Sequence, residues 1–443
     1  MAFQASNGST EYNPLARLRR ERRFVMTSVQ PGFATTPSGL LCDGVSIAEI
    51  ATQVETPFYL YSAATITGRL AALQKALAGV PHAVHYALKA NSTLALVHLV
   101  RSAGACADAN SVGEIDVALE AGFRPDEIVF TGVGKTKAEL TRAVTLGIRA
   151  INAESAGELD RIADIAETQG TIARVALRVN PDIDAQTHKH ISTGLKRNKF
   201  GVPLGDAADI VRTRATRRGL HFVGVHAHIG SQLVNVEPLR QAATTLASLA
   251  RELRNDGIDL EHIDVGGGLG IAYDGGAEPS LTEYAAAITE ATRHTGTSLV
   301  FEPGRWLMAP AGMLVARVVD TKPAPDGRRF VVLDGGMTEL LRPALYGAYH
   351  RIALVAPRVG ASLVPCDVVG PVCETSDTLG LDRLLPDPQV DDVVAIYDTG
   401  AYGSVMASNY NRRPLPAEVL VEAPAWRIIR TRQTIQDQLA HER

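Results

Sequence analysis

The sequence predicts an α/β protein in which a closed (β/α)8 TIM barrel is followed by an all-β C-terminal domain. Three observations support this prediction. From about residue 57 to residue 305, short apolar runs typical of strands alternate with longer amphipathic segments. Polar and glycine-rich residues collect at the carboxyl ends of these runs, where barrel enzymes place their chemistry. After residue 305 the long helical segments give way to short β-type runs separated by turns.

Eight apolar runs predict the strands of the barrel, and they are residues 83–89, 105–110, 127–131, 149–153, 173–180, 222–229, 262–266 and 298–303. The segments between them have apolar residues at helical spacing, as in residues 112–120, 136–146, 156–168 and 239–254. The carboxyl ends of the predicted strands carry Lys89, Asp108, Asn110, Arg178, Asn180, His226, His228, the glycines 266–268, Glu302 and Arg305. Unrelated polar residues would not favour one end of so many strands.

The second domain is predicted from β-type runs at residues 314–319, 329–333, 367–369, 392–396 and 418–421. We therefore expect four parts in the chain. Residues 1–38 are predicted to be a disordered leader, and residues 39–61 to contribute to the β domain. Residues 62–308 form the predicted barrel, and residues 309–443 the C-terminal β domain.

Composition favours an enzyme that acts on a small molecule. The 443 residues carry a net charge of −4, which gives no broad reason to bind nucleic acid or an anionic membrane. No apolar run is long enough to span a bilayer. The four cysteines form no Cys-x-x-Cys pair, so neither a zinc site nor a disulfide framework is indicated. We expect a cytoplasmic protein that needs no metal.

Lys89 is the residue around which the predicted chemistry is organised. At the mouth of a buried strand a lysine loses hydration, which lowers its pKa and leaves free amine to attack a carbonyl. Pyridoxal phosphate is a carbonyl compound that fits such a lysine. The alternative is a lysine whose side chain leaves the strand end and extends into water.

Two further strand ends suit parts of the same cofactor. Gly266, Gly267 and Gly268 allow backbone N–H groups to approach an anion such as a phosphate, although a flexible turn would have the same glycines. Glu302 could face a pyridine nitrogen and keep the ring protonated. The alternative for Glu302 is a buried ion pair with Arg305.

The segment from His226 to Gln232 places two histidines on one side of a predicted strand. They could bind zinc, but the sequence indicates no third ligand. An imidazole that covers a planar ring, with Ser231 donating to a phosphate, explains the segment better, while His226 could simply be a core histidine. In the second domain, Cys373 and Glu374 join a potential proton donor to a carboxylate.

Together these motifs resemble the barrel-type pyridoxal-phosphate decarboxylases of basic amino acids, whose barrel is of the alanine-racemase type. The resemblance covers residues 39–440. It is carried by residues 86–91, 180–182, 192–196, 198–201, 226–232, 266–268, 302–305, 342–347, 373–374 and 400–403. Each motif is modest alone, but their order and joint presence are specific. Asn110 and Trp306 depart from the usual pattern and could reshape the pocket.

The resemblance implies a role for each site residue. Lys89 would form the Schiff base, His228 would stack on the ring and Glu302 would pair with the pyridine nitrogen. The residues implied around the cofactor are Lys89, Asp108, His228, Ser231, Gly267, Gly268, Glu302, Gly304, Arg305 and Tyr402. The implied substrate contacts are Arg305, Arg342, Tyr346, Glu374 and Tyr402. Cys373 would deliver a proton to the substrate carbon and would, with Glu374, come from the second subunit of a homodimer with shared active sites.

The reaction implied is decarboxylation of meso-2,6-diaminopimelate to L-lysine and CO2, the last step of lysine biosynthesis. Arg342 and Tyr346 suit a distal carboxylate and would repel the bare ammonium of other basic amino acids. The alternatives are a decarboxylase of ornithine, lysine or arginine, or a non-catalytic, pyridoxal-phosphate-binding regulatory homologue. A racemase would normally take its opposite-face acid from a tyrosine of the second domain.

Overall fold

The structure is a computed structural model that describes residues 32–183, 198–324, 326–356, 358 and 360–442. Most of the predicted leader and the motif at 192–196 lie outside these residues. The strands are β1 Phe33–Thr36, β2 Gly39–Cys42, β3 Val45–Ser46, β4 Phe58–Ser62, β5 His82–Ala87, β6 Cys106–Ala109, β7 Ile128–Phe130, β8 Ala150–Ala153, β9 Ala173–Asn180, β10 Val202–Pro203, β11 Leu220–His226, β12 His262–Asp264, β13 Ser298–Phe301, β14 Gly312–Pro323, β15 Arg329–Leu333, β16 Ile352–Leu354, β17 Leu363–Val369, β18 Thr378–Pro386, β19 Val393–Ile396, β20 Ala417–Glu422 and β21 Ala425–Arg430.

Eight parallel strands close into a barrel, as predicted. Their order is β9, β11, β12, β13, β5, β6, β7 and β8, and a further pairing of β8 with β9 completes the circle. The short strand β10 pairs with β9 outside this circle. Because the strands are parallel, their carboxyl ends meet at one face of the barrel.

Helices cover the outside of the barrel and occur at a few other points. They are α1 Ile47–Gln53, α2 Ala63–Ala76, α3 Leu94–Ser102, α4 Val112–Glu120, α5 Lys137–Leu146, α6 Ala156–Gln169, α7 Leu204–Arg214, α8 Glu237–Asn255, α9 Leu281–Ala291, α10 Arg305–Met308, α11 Arg342–Tyr346 and α12 Ile435–Leu439. Ser111, Thr136 and Ser155 each cap a helix by accepting the backbone N–H three residues later. Within the described residues, no helix is long and apolar enough to cross a membrane.

The second sheet combines strands from both ends of the chain. Its order is β18, β17, β15, β14, β4, β20 and β21, with β16 and β19 joined to it through β14. Strand β4 precedes the barrel in sequence, yet it lies between β14 and β20. Strands β1 to β3 form a separate antiparallel sheet.

Six of the eight predicted strand ends were placed one to three residues too late in the sequence, and those of β5 and β11 bear on the site. Strand β5 ends at Ala87, and Lys89 lies in the short 3-10 helix Leu88–Ala90. Strand β11 ends at His226, so His228 follows the strand instead of sharing a face of it. The ladder stops there because Asp264, the last residue of the neighbouring β12, accepts the N–H of Gly266 at 2.9 Å and turns the chain away.

Candidate active site

The turn that carries Lys89 is held from several sides. The backbone N–H of Tyr402 donates to the carbonyl of Ala90 at 2.8 Å. The Asn91 side chain donates to the carbonyl of Gly400 at 3.1 Å, and the Tyr86 hydroxyl donates to the carbonyl of Asn91 at 2.8 Å. The loop from the second sheet thus fixes the turn at the end of β5.

The ammonium of Lys89 lies 3.5 Å from Oδ2 of Asp108 and 3.4 Å from Oδ1 of Asn110. Burial lowers the pKa of Lys89, but the charges of Asp108 and Glu302 outweigh burial, and the net pKa lies above its usual value. The prediction of a lowered pKa was therefore wrong for the protein without a ligand, since it considered burial and omitted the neighbouring carboxylates. Burial, followed by Glu302, raises the pKa of Asp108 to about 6.

Glu302 lies in a buried row that crosses three neighbouring strands. His226 on β11 is the register partner of Asp264 on β12, and Glu302 follows the end of β13. Nε2 of His226 lies 3.3 Å from Oε2 of Glu302. One polar atom from each of the three lies within 4.8 Å of the others. Among the described residues, the side chain that bonds to the Glu302 carboxylate is therefore His226. Neither this pair nor the nearby Asp264 was identified from the sequence.

His228 lies at the glycine loop. The N–H of Gly267 donates to its Nδ1 at 3.1 Å, which requires an unprotonated Nδ1. Burial, followed by the charge of Lys89, lowers the pKa of His228 well below its usual value. A Cβ at Gly267 would lie 2.2 Å from the carbonyl of Glu302, so only glycine fits there. Gly268 accepts the N–H of Leu233 at 2.8 Å, which secures the loop.

Arg305 joins several of the predicted site residues. It begins α10 directly after Gly304 and is buried. Its Nε donates to Oγ of Ser231 at 3.1 Å, and its Nη1 donates to the hydroxyl of Tyr273 at 2.7 Å. Its guanidinium also lies 4.8 Å from the ring centre of Tyr402. Arg305 thus places a buried cation next to the hydroxyls of Ser231 and Tyr273.

Tyr273 connects Arg305 to Arg342 of α11. The Arg342 guanidinium lies 4.7 Å from the ring centre of Tyr273, and its Nη1 donates to Nε2 of His350 at 2.7 Å. Nδ1 of His350 donates to the carbonyl of Tyr397 at 2.8 Å, so this imidazole is neutral and its tautomer is fixed. Tyr346 ends the same helix and is half-buried.

Cys373 and Glu374 are exposed on the surface. The N–H of Cys373 donates to Oδ1 of Asn411 at 3.4 Å. The buried Asp377 shapes their loop by accepting the N–H of Met337 at 2.6 Å and that of Val372 at 2.7 Å. The structure therefore assembles the other twelve predicted site residues and leaves these two on the surface.

The residues present fit pyridoxal phosphate. Oδ1 of Asp108 and Oε1 of Glu302 are buried without a hydrogen-bond partner among the described residues, so each of these carboxyl groups can take part in a further hydrogen bond. The cation of Arg305, the hydroxyl of Ser231 and the glycine loop supply the groups that a phosphate needs. Lys89 supplies a primary amine within the same carboxylate cluster.

Comparison with known proteins identifies the family. A model of the pyridoxal-binding domain of pyridoxal-dependent decarboxylases matches residues 63–309. The diaminopimelate decarboxylase of Pseudomonas aeruginosa is 42% identical over 410 residues, which cover 93% of this chain and 98% of that protein. The chain belongs to the diaminopimelate decarboxylases. That of Helicobacter pylori strain J99 is 43% identical over 88% of this chain and 96% of its own length.

Solved structures agree with this assignment to the diaminopimelate decarboxylases. The crystal structure of the Helicobacter pylori enzyme complexed with L-lysine has a TM-score of 0.86 and 42% identity, and the match covers 89% of this chain and 98% of that one. The protein is therefore a pyridoxal-phosphate-dependent lyase with the barrel and mostly-β sheet of this family.

Sequence reasoning missed Asp264, Tyr273 and His350 at the site. A carboxylate two residues before the glycine triplet was a usable signal for Asp264. Tyr273 and His350 lie in segments without regular periodicity, and only the folded chain brings them to the two arginines.

Proposed function

We propose that this protein decarboxylates meso-2,6-diaminopimelate to L-lysine and CO2. The observation that carries the proposal is the pair of buried arginines, Arg305 and Arg342, joined through Tyr273 next to the Lys89 turn. Two neighbouring buried cations suit a substrate with a second carboxylate. The Helicobacter pylori enzyme was crystallised in complex with L-lysine, which is the product expected of this reaction.

Twelve residues would hold the cofactor and its substrate, each in the role that its position suits. Lys89 would bind the cofactor covalently, with Asp108 beside its ammonium. His228 would lie against the ring, and Glu302 would face the pyridine nitrogen. The phosphate would be met by Ser231, Gly267, Gly268, Gly304, Arg305 and Tyr402. The substrate's distal carboxylate would be met by Arg305, Arg342 and Tyr346.

Pyridoxal phosphate, when bound, supplies an electron sink for the pair of electrons that CO2 leaves behind. The residues of the chain supply the charge that faces the cofactor and the groups that give up or accept protons. Glu302 would hold a negative charge close to the ring nitrogen, because His226 favours its ionised form although burial opposes it. Lys89 must lose a proton before its amine can act as a nucleophile, and Oδ2 of Asp108 lies 3.5 Å away to accept one.

Arg342 and Arg305 would select the substrate by charge. A carboxylate at the far end of diaminopimelate would satisfy buried guanidinium groups, whereas the terminal ammonium of lysine or ornithine would add a third cation. Arg342 is preorganised because His350 already accepts one of its N–H groups at 2.7 Å. Glu374 would meet the distal amine of the substrate.

A second copy of the chain would complete the site. Cys373 and Glu374 are exposed on a loop fixed by Asp377. In a homodimer with shared active sites, this loop would reach the partner's barrel, and Cys373 would protonate the substrate carbon. Because that step needs a thiol, we place the protein in a reducing cytoplasm.

The test is an assay of CO2 release and lysine formation by the purified holoenzyme. Diaminopimelate, ornithine, lysine and arginine are offered separately, and we expect lysine to form from diaminopimelate alone. Arg342→Gln should raise KM for diaminopimelate by about 100-fold, because one charged hydrogen bond is lost to the substrate. Arg161→Gln, at a surface position on the outer helix α6, serves as the matched control and should leave KM unchanged.

Two results would contradict the proposal. Turnover of ornithine or lysine at a rate similar to that of diaminopimelate would contradict the selection of the substrate by the charges of Arg305 and Arg342.

A re-associated mixture of Lys89→Ala and Cys373→Ala chains should recover about one quarter of wild-type activity, because half of the dimers are mixed and each of these has one intact site. Activity no greater than that of the two parent variants would refute shared sites.

A further inference from the structure

Asp264 is a fully buried carboxyl group that the proposed chemistry does not use. It ends β12, and its register partners are His226 on β11 and Val300 on β13. Its Oδ1 accepts the N–H of Gly266 at 2.9 Å. Its Oδ2 has no hydrogen-bond partner among the described residues, and neither does Oε1 of the neighbouring Glu302.

Asp264 and Glu302 each bring a carboxyl oxygen within 4.8 Å of the other, and each has an oxygen without a partner among the described residues, so this arrangement favours one proton between the two carboxyl groups. Ionised together they would repel each other in a buried site that screens charges weakly, whereas one proton allows an O–H···O⁻ hydrogen bond between them. The same geometry occurs in pairs of carboxyl groups that share one proton. The unpartnered atoms therefore indicate a single negative charge on the pair.

The surrounding groups decide which member holds the proton. The titratable groups that face Asp264 are His226 on β11, Glu302 after β13, Asp108 on β6 and Tyr284 on α9. His226 and Lys89 favour a charge on Glu302 and lower its pKa, although burial acts in the opposite direction. Burial, followed by the charge of Glu302, raises the pKa of Asp264 well above its usual value.

We propose that Asp264 is a positioning residue that remains protonated at neutral pH and donates a hydrogen bond to Oε1 of Glu302. With His226 at Oε2, this bond fixes the orientation of the Glu302 carboxylate from both sides. It also makes Glu302 a weaker base, so that a proton on the facing ring nitrogen stays there. The last point rests on the proposed function, in which Glu302 faces the pyridine nitrogen.

Infrared spectroscopy of the apoprotein tests the proton directly. At about pH 8 an ordinary aspartate is fully ionised, and Asp108 is also mostly ionised. We expect one protonated carboxyl C=O band that shifts when the protein contains isotope-labelled aspartate. The band should be absent from Asp264→Asn and present in the matched control Asp108→Asn. Its absence from the wild-type protein would overturn the proposal.

Kinetics of the holoenzyme test the hydrogen bond. Asn can accept from Gly266 and donate to Glu302, so Asp264→Asn should keep kcat within about threefold, whereas Asp264→Ala should lower it about 30-fold with little change in KM. In the alanine variant the visible spectrum of the bound cofactor should also become dependent on pH. Equal losses in both variants would overturn the proposal. If the alanine variant does not fold, the infrared comparison and the asparagine variant still decide the question.

Metal analysis provides a further decisive outcome. A stoichiometric divalent ion that survives dialysis and is lost in Asp264→Asn would mean that Asp264 is ionised, which would overturn the proposal.

The failure of this inference is distinct from failure of the proposed function. A protein that carries the infrared band but does not turn over diaminopimelate would retain the protonated Asp264 and lose only the substrate assignment.

Discussion

Replacement of His350 by phenylalanine tests whether substrate binding depends on a residue that need not touch the substrate. His350 is fully buried and accepts the Nη1–H of Arg342 at 2.7 Å. Phenylalanine keeps the flat ring, which packs edge-on against Tyr273 at 5.2 Å between ring centres. The substitution therefore removes the acceptor for Arg342, together with the N–H donor to the carbonyl of Tyr397, and keeps an aromatic ring in the same place.

The expected effect follows from the charge on the donor. A hydrogen bond to a charged group contributes about 1.5–3 kcal/mol, which corresponds to about 10–150-fold in an equilibrium constant. Arg342 without its acceptor loses orientation, so this loss should fall on the binding of the distal carboxylate. We expect KM for diaminopimelate to rise by about 30-fold and kcat to change by less than about threefold, because the reacting carbon is at the other end of the substrate.

Steady-state kinetics of the two holoenzymes measure this effect. The matched control is His98→Phe on α3, where the residue is exposed and its imidazole contacts only the carbonyl of Ala121 among its described hydrogen bonds. Burial, followed by the charge of Arg342, keeps the pKa of His350 well below its usual value, so wild-type KM should not change through this residue above about pH 6. An unchanged KM in His350→Phe, with normal circular dichroism, would refute the reasoning.

Contacts elsewhere in the chain make three further predictions. Asn91→Ala releases the turn of Lys89, and the affinity for pyridoxal phosphate should fall about tenfold in an absorbance titration; an unchanged affinity would contradict this role. Lys135→Met leaves Glu158 buried without its 2.7 Å partner, so urea denaturation should show a loss of about 3–5 kcal/mol that the added Glu158→Gln substitution partly restores. Burial raises the pKa of Glu114 to about 7, so the folded apoprotein holds a proton that the unfolded chain has lost between pH 4.5 and about 7. The free energy of unfolding therefore falls as pH rises through this range, and Glu114→Gln should reduce that fall by about 3 kcal/mol in urea titrations at each pH.

The barrel could be predicted from the sequence because its strands and helices are local patterns. Runs that alternate with amphipathic segments fix the number of βα units, and the parallel arrangement then places Lys89, Asp108 and Glu302 at one face. The predicted ends of the strands were less accurate, because a strand stops where the neighbouring strand turns away. His228 lies beyond β11 for that reason, since Asp264 ends β12.

The charge state of the site could not be predicted in the same way. The pKa of Lys89 depends on Asp108 at 3.5 Å and on Glu302, which are 19 and 213 residues further along the chain. Burial alone predicted a lowered pKa for Lys89, whereas the neighbouring carboxylates raise it. His350 shows the same limit, because its effect on Arg342 depends on a carbonyl of Tyr397 that no local pattern links to either residue.

A buried carboxylate explains why the turn of Lys89 depends on the second sheet as well as on the barrel. Glu418 on β20 accepts the Tyr61 hydroxyl of β4 at 2.6 Å and pairs with Arg430 at 2.8 Å. Tyr61 in turn accepts the side-chain N–H of Asn91 at 3.1 Å. Because Glu418 is fully buried, removal of the sheet would leave these polar groups without partners. The amine at the centre of the proposed reaction is therefore positioned by β4 and β20, and a barrel expressed alone would not preserve its geometry.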